Sequence, residues 1–297
     1  MCGILGVIQQ QNQTGKERFL YALNHMQHRG PDGYGVFHNN HISFGHRRLS
    51  IIDLSSSADQ PFKSGDEKLV IVFNGEIYNY KEISGGLSLQ TTSDTEVLLK
   101  GYAKEGISFF KKIRGIYAFC IYDNRNEQQP KCILLRDPAG VKPLYFINGS
   151  NGFIFASELK SILPLLDKKP EINEQIIKKY IHLGYCPEPE TAYQDVYALE
   201  PGSCFTYDLA NNSITEEIIL HYDFNEQVMN EKEAINETGR LLDIACQRNM
   251  VADVKVNVAL SGGIDSSLIY AYTNKHHNNN VTGITVAFDD KAYDESE

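Results

Sequence analysis

Short apolar runs, rich in β-branched and aromatic residues, punctuate the first two hundred residues of the chain. HISFGHRRLSIIDL (41–54), EKLVIVFNGEIYN (67–79), GIYAFCIYD (115–123), KCILLRD (131–137), PLYFING (143–149) and GFIFAS (152–157) are each bounded by Gly, Asn, Asp or Pro, which predicts strands. CGILGVI at 2–8 also reads as a short core strand. Helical patterns interrupt them at 15–29, 93–106 and 157–166. In the second of these, Ser93 or Asp94 is placed to cap the helix, with Glu96 in the first turn where the helix dipole favours an acid. Many strands of antiparallel type with a few helices describe an α+β domain of layered sheets.

The texture changes near LHYDFNEQVMNEKEA (220–234). A helix through 235–250, a strand at 254–260, a glycine turn, a second helix at 266–276 and a second strand at 281–288 follow in turn. Such α/β alternation predicts a parallel sheet. HHNNN (276–280) reads as a solvated loop, and the chain carries no internal repeat.

With 297 residues there is room for two domains. A formal net charge of −10 and scattered basic residues argue against general nucleic-acid binding, and no apolar run approaches the ~20 residues of a membrane span. Six widely spaced cysteines without a C-x-x-C pair or a secretion signal suit a reduced, cytoplasmic thiol pool better than a disulfide framework, with Cys120 a core residue. His25 and His28 in HMQH lack companion ligands, so no metal site is expected and a helix surface is the simpler reading.

Two stretches carry candidate chemistry. Cys2 by itself reads as a buried core thiol; were Met1 removed, its free α-amine would stand beside the thiol as a ready base. LSGGIDSS (260–267) lies between a predicted strand and helix, where Gly262 and Gly263 permit close backbone approach and a helix N-terminus offers N–H groups to a phosphate. No Lys-Ser/Thr follows the glycines, so it is not a Walker A loop.

The S-G-G-x-D-S string resembles the PP-loop of the ATP pyrophosphatases. MCGILGVI, HRGPDGYG, GHRRLSIIDLS, VFNGEIYNY, SDTEVLL, LLRDPAGVKPLYF and FASELKSIL occur in the order seen in class II glutamine amidotransferase domains, the N-terminal-nucleophile type. Followed by LSGGIDSS and FDDKAYDESE, the whole chain resembles the N-terminal portion of a glutamine-hydrolysing asparagine synthetase. That resemblance implies an αββα sandwich of antiparallel sheets over residues 1–223, then an incomplete parallel-sheet ATP-binding domain over 228–297.

It also implies roles. Cys2 would attack the glutamine side-chain amide, with its α-amine as proton carrier. Asn74 and the Gly75 N–H would form the oxyanion hole, Arg48 would hold the glutamine α-carboxylate, Asp94 its ammonium, and Glu76 would complete the contacts. Leu260, Ser261, Gly262, Gly263, Asp265 and Ser266 would hold ATP and its pyrophosphate with Mg²⁺. Ammonia would pass through a tunnel to an acyl-adenylate, most simply of aspartate, giving asparagine, AMP and pyrophosphate. Taken singly, Asn74-Gly75 also reads as a hairpin turn, Arg48 as half of a surface basic pair, and Asp94 and Asp265 as helix caps. HRGPDGYG is expected to wall the glutamine pocket without a chemical role.

The family pattern runs on past DESE, so the synthetase half is expected to be incomplete, either as a fragment or as a chain that needs a partner to supply the missing C-terminal portion; a homodimer is the other partner option. SGGLSLQTT (84–92) is short for its place, and Pro138, Ile116 and Tyr117 stand where Arg, Met and Phe are usual. Another acceptor carboxylate, such as a uronic acid of a surface polysaccharide, and a glutamine-binding regulatory module without turnover are the alternatives.

Overall fold

The computed structural model describes every residue except 12, 151, 223, 225–227, 277–280 and 290–297. The end of FDDKAYDESE and most of HHNNN therefore lie outside the described residues. Two compact units divide after Tyr222.

In chain order the first unit begins with β1 (Gly3–Ile8), α1 (Lys16–Asn24), β2 (Gly33–His38), β3 (Ile42–Arg48), β4 (Phe62–Lys63) and β5 (Leu69–Ile77). Next come α2 (Tyr80–Ile83), α3 (Asp94–Glu105), β6 (Gly115–Asp123), β7 (Lys131–Arg136), β8 (Tyr145–Gly149) and β9 (Gly152–Ala156). α4 (Leu159–Ile162), α5 (Glu174–Leu183), β10 (Tyr197–Ala198), β11 (Ser203–Asp208) and β12 (Ser213–Ile218) complete it. Two six-stranded sheets result, ordered β10-β8-β9-β1-β3-β2 and β12-β11-β7-β6-β5-β4. Every strand pairing within them is antiparallel.

Side chains alternate across a strand, so each sheet offers two faces. Ile4, Ile8, Ile42, Phe44, Phe153 and Phe155 meet Val70, Val72, Cys120, Leu134 and Phe205 in one core between the sheets. The intervening Leu5, Val7, Ile154 and Ala156 face the other way, onto Phe19, Leu23 and Met26 from α1 and its end and Ile162 from α4. Beyond the second sheet, Tyr102 of α3 stacks on Phe110 with centroids 5.6 Å apart, and Phe110 meets Phe119 of β6 edge-on at 5.1 Å. The order helix, sheet, sheet, helix is the layered α+β architecture expected of this half.

The structure departs from the predicted pattern at several elements. The run 41–54 is a strand only to Arg48; beyond it Asp53 adopts φ +51°, and its carboxylate accepts from the Ser55 N–H and hydroxyl, a local bonding pattern that competes with a ladder. The sequence pattern marks no element at β2, β4, α2, α5 or β10 to β12. β2 begins within the glycine-rich HRGPDGYG because β3 supplies a partner along Gly33–His38, and none of these eight residues is among those lining the Cys2 cavity, whose wall they were expected to form. α1 stops at Asn24, which leaves His25 and His28 in the following turns rather than on a helix.

The second unit holds α6 (Glu231–Asn249), β13 (Asn257–Ala259), α7 (Ile264–His276) and β14 (Thr282–Ile284). α6 opens with a capping box in which Asn230 and Glu233 each accept from the other's backbone N–H. β13 and β14 pair in parallel, and both are shorter than the runs at 254–260 and 281–288 predict. Among the described residues all six cysteines are free, with Cys120 fully buried, no group of three His, Cys, Asp or Glu could hold a metal, and no helix is long and apolar enough to cross a membrane.

Candidate active site

A cavity in the first unit gathers Cys2, Arg48, Asn74, Gly75, Glu76 and Asp94, residues spread over more than ninety positions of sequence. The pairing of β1 with β3 sets Gly3 opposite Arg47 and so carries Cys2 to the end of the strand beside Leu49. The Leu49 N–H donates to Cys2 Sγ at 3.4 Å, and Arg29 Nε donates to the Cys2 carbonyl at 2.8 Å. Burial pushes the Cys2 thiol up from its ordinary pKa, against the pull of the Leu49 N–H. Met1 also lines the cavity, and partial burial lowers the pKa of its terminal amine.

β5 supplies the opposite wall, and its strand parity determines which groups are available. It pairs with β6 from Leu69 to Ile77, but with β4 only at Val70 and Ile71. Successive residues turn their N–H and C=O groups to opposite edges. The Phe73 N–H donates to Gln60 Oε1 at 2.7 Å and the Ile77 N–H to Asp94 Oδ2 at 3.0 Å, so odd-numbered residues face the edge that β4 leaves open. Gly75 lies between them, and its N–H is presented from that edge. A Cβ there would fall 2.3 Å from the Ile116 carbonyl oxygen and 2.6 Å from Tyr117 Cα, so the close approach of β6 demands glycine. Asn74-Gly75 is therefore mid-strand and not a hairpin turn. The Asn74 side chain is completely buried with neither amide atom hydrogen-bonded. A buried amide left unpaired costs about 1–3 kcal/mol, so an orphan of this kind calls for an explanation.

Asp94 is the first residue of α3, capped by Ser93 Oγ, which accepts from the Thr95 N–H at 3.1 Å. Burial, aided by the neighbouring Glu76 charge and opposed by the Ile77 N–H, raises the Asp94 carboxyl to about 7. Glu76 is also raised by burial, while Lys142 pulls it down. Arg48 is not a surface cation: its side chain is 10 % exposed. Its Nη1 donates to the Ser55 carbonyl at 2.8 Å and Asp59 Oδ1 at 2.6 Å, and Nη2 to the Asp53 carbonyl. The loop that breaks the predicted strand thus holds the guanidinium at the cavity wall.

His46, Gln60 and Lys142 also line the cavity, and the motif reading does not single them out. His46 and Lys142 stand inside GHRRLSIIDLS and LLRDPAGVKPLYF, but nothing local marks them; only the fold brings them beside Cys2 and Asn74. Lys142 is nearly buried, and desolvation lowers its pKa while Glu76 and Cys2 favour its charge.

In the second unit Leu260 to Gly263 form the turn from β13 into α7, as the glycines predict, and Asp265 and Ser266 lie in the first turn of that helix. The Leu260 N–H donates to the Ile284 carbonyl at 2.9 Å, and Gly262 sits at φ +81°. Hydroxyls of this segment bond within it: Ser266 and Ser267 Oγ donate to the Gly263 carbonyl at 3.1 and 2.8 Å, and the Ser261 N–H donates to Ser266 Oγ at 3.2 Å. Ser261, Gly262, Gly263 and Asp265 are exposed.

Two facing antiparallel sheets, covered by helices and carrying a cysteine at the head of a central strand, define the N-terminal-nucleophile amidotransferase fold. Residues 1–218 match the glutamine amidotransferase domain family, to which the chain belongs, and residues 237–297 match part of the asparagine synthase family. A putative glutamine-hydrolysing asparagine synthetase 2 of Methanocaldococcus jannaschii is 36 % identical over 91 % of this chain and 56 % of its own length. Asparagine synthetase 1 of Bacillus subtilis is 36 % identical over 99 % of this chain and 47 % of its own. The chain spans about half the length of these curated relatives. Among solved structures, the B. subtilis glutamine phosphoribosylpyrophosphate amidotransferase shares the fold at TM-score 0.51 and 17 % identity, over 100 % of this chain and 69 % of that one. A structure titled as the allosteric regulatory enzyme of purine biosynthesis does so at TM-score 0.53 and 18 % identity, over 99 % and 67 %.

Proposed function

We propose that the first unit hydrolyses glutamine to glutamate and ammonia at Cys2. The observation that carries this reading is the unpaired Asn74 amide and the open-edge Gly75 N–H in the same cavity as the Cys2 thiol. With Met1 removed, the α-amine takes the thiol proton as Sγ attacks the amide carbon. The oxyanion forms toward Asn74 and Gly75, and the proton leaves with ammonia; water then cleaves the thioester to glutamate. Arg48 holds the α-carboxylate, Asp94 the ammonium, and Glu76 completes the pocket. Ammonia release by the purified chain, with its N-terminal residue identified by mass spectrometry and Cys2→Ala beside it, tests this. Release that depends on a processed Cys2 is expected; equal release by Cys2→Ala would overturn it.

The ammonia serves the ATP-dependent amidation of a carboxylate, aspartate above others, in the manner the relatives' names describe. The support is the asparagine synthase match and the strand-turn-helix at 260–266. Its exposed Ser261, Gly262 and Gly263 and the start of α7 suit an ATP pyrophosphate, and Asp265 would hold its Mg²⁺. The chain spans about half the length of its relatives, so amide formation is proposed for the chain joined by the rest of an asparagine synthase domain, in the same polypeptide or on a partner. Asparagine formation from aspartate, ATP and glutamine by that completed enzyme, lost on Asp265→Ala, is the expected result.

A further inference from the structure

His46 is a buried polar residue that the proposed chemistry does not use. It lies on β3, paired with Ile4 of β1 on one side and Gly35 of β2 on the other. By strand alternation it shares a face with Phe44, which packs in the core between the sheets, and with Arg48. An apolar side chain would extend that row at lower desolvation cost. Instead the imidazole, in a residue only 1 % exposed, crosses to the second sheet, where Nε2 lies 3.2 Å from the Phe73 carbonyl oxygen. Burial depresses its pKa to about 3, so the ring is neutral, and facing a carbonyl it is Nε2 that carries the hydrogen and donates.

Phe73 precedes Asn74 and faces the edge of β5 that β4 does not cover. A strand edge lacking its neighbour has no ladder to hold its peptide planes. Here two side chains substitute for the missing strand. Gln60 Oε1 accepts from the Phe73 N–H, while Gln60 Nε2 donates to Thr95 Oγ1 at 3.3 Å; His46 donates to the Phe73 carbonyl. The peptide joining Phe73 to Asn74 is therefore held at its oxygen by β3, the strand that leads to Arg48 and Leu49, and at its nitrogen by the β6 ladder. Its orientation sets where the unpaired Asn74 amide and the Gly75 N–H point.

We infer that His46 is a positioning residue of the oxyanion hole: through the Phe73 carbonyl it ties the strand bearing Asn74 and Gly75 to the sheet bearing Cys2. The inference rests on the glutaminase reading. It acts on donor placement, so it matters where charge develops on oxygen and not where the thiol reacts without an oxyanion.

The test compares His46→Ala and His46→Gln with wild type in the full chain after Met1 removal. Two reactions of Cys2 are followed: glutamine hydrolysis, and alkylation by iodoacetamide, a displacement at carbon that forms no oxyanion, located at Cys2 by mass spectrometry. His46→Ala is expected to lower kcat for hydrolysis roughly tenfold to a hundredfold with KM nearly unchanged, since small misplacements carry such costs. Its alkylation rate should match wild type, and His46→Gln, which keeps an N–H near Nε2, should restore most of kcat. Unchanged kcat in His46→Ala, parallel losses of hydrolysis and alkylation, or a His46→Gln as slow as His46→Ala would each overturn the inference while leaving the glutaminase intact. A wild-type chain with an exposed Cys2 that alkylates but releases no ammonia would instead overturn the glutaminase reading, and this inference with it.

Discussion

Asp94 shows how burial at one residue of the proposed glutamine site sets a charge state. Its carboxyl is raised from an ordinary 3.8 to about 7 because its surroundings remove water and add the Glu76 charge. Between those values the native protein keeps a proton that the unfolded chain has lost, so stability falls as pH rises through that window. Asp94→Asn should remove the slope, which urea midpoints measured at several pH values across it would reveal. A glutamine ammonium needs the carboxylate form. KM for glutamine should therefore fall as pH rises toward and past 7, and Asp94→Asn should raise KM and flatten its pH dependence. A KM that rose over the same interval would remove Asp94 from the ammonium site.

At the scale of elements, the site depends on where β5 loses its neighbour and where α3 begins. Ser93 caps α3 through the Thr95 N–H, and Ser93→Ala should cost about 1 kcal/mol in chemical denaturation. It should also weaken glutamine binding, because the cap fixes the first turn on which Asp94 stands. Gly75→Ala places a methyl against the backbone of β6. The strand must shift to admit it, and loss of ammonia release is expected to exceed any change in melting temperature, since the displaced N–H is the proposed oxyanion donor. Arg48 belongs to the same scale: the turn at Asp53 that ends the predicted strand supplies two of the carbonyls that hold its guanidinium.

For the whole molecule, the two units differ in how much they bury. The first encloses a core between its sheets and others beneath its helices; the second buries few of its described apolar side chains, leaving Ile264, Val286 and Phe288 more than half exposed. Residues 1–222 made alone should keep a cooperative thermal transition and the glutaminase activity, checked by circular dichroism and ammonia release. Phe155, packed edge-on against Phe44 at 5.7 Å between the sheets, is a measure of that core. Phe155→Ala should cost about 3–5 kcal/mol by the combined loss of transfer energy and a new cavity.

Much of this was legible in the residues. Runs rich in β-branched and aromatic side chains located most of the central strands, the pair Ser93-Asp94 announced the start of α3, and the glycines of LSGGIDSS marked the strand-to-helix turn, because propensity, capping and backbone freedom are local properties. Ordered motifs also named six residues that prove to line one cavity. β2, β11 and β12 were not legible, since a strand with modest propensity forms only when a neighbour completes its hydrogen bonds. Nor was the availability of Gly75, which follows from the length of β4, or the place of His46, which looks like one more polar residue in a run until the second sheet lies against it. Local chemistry is written in the sequence; which groups are left unpaired, which are dehydrated and which meet across the sandwich is decided only when distant strands pack.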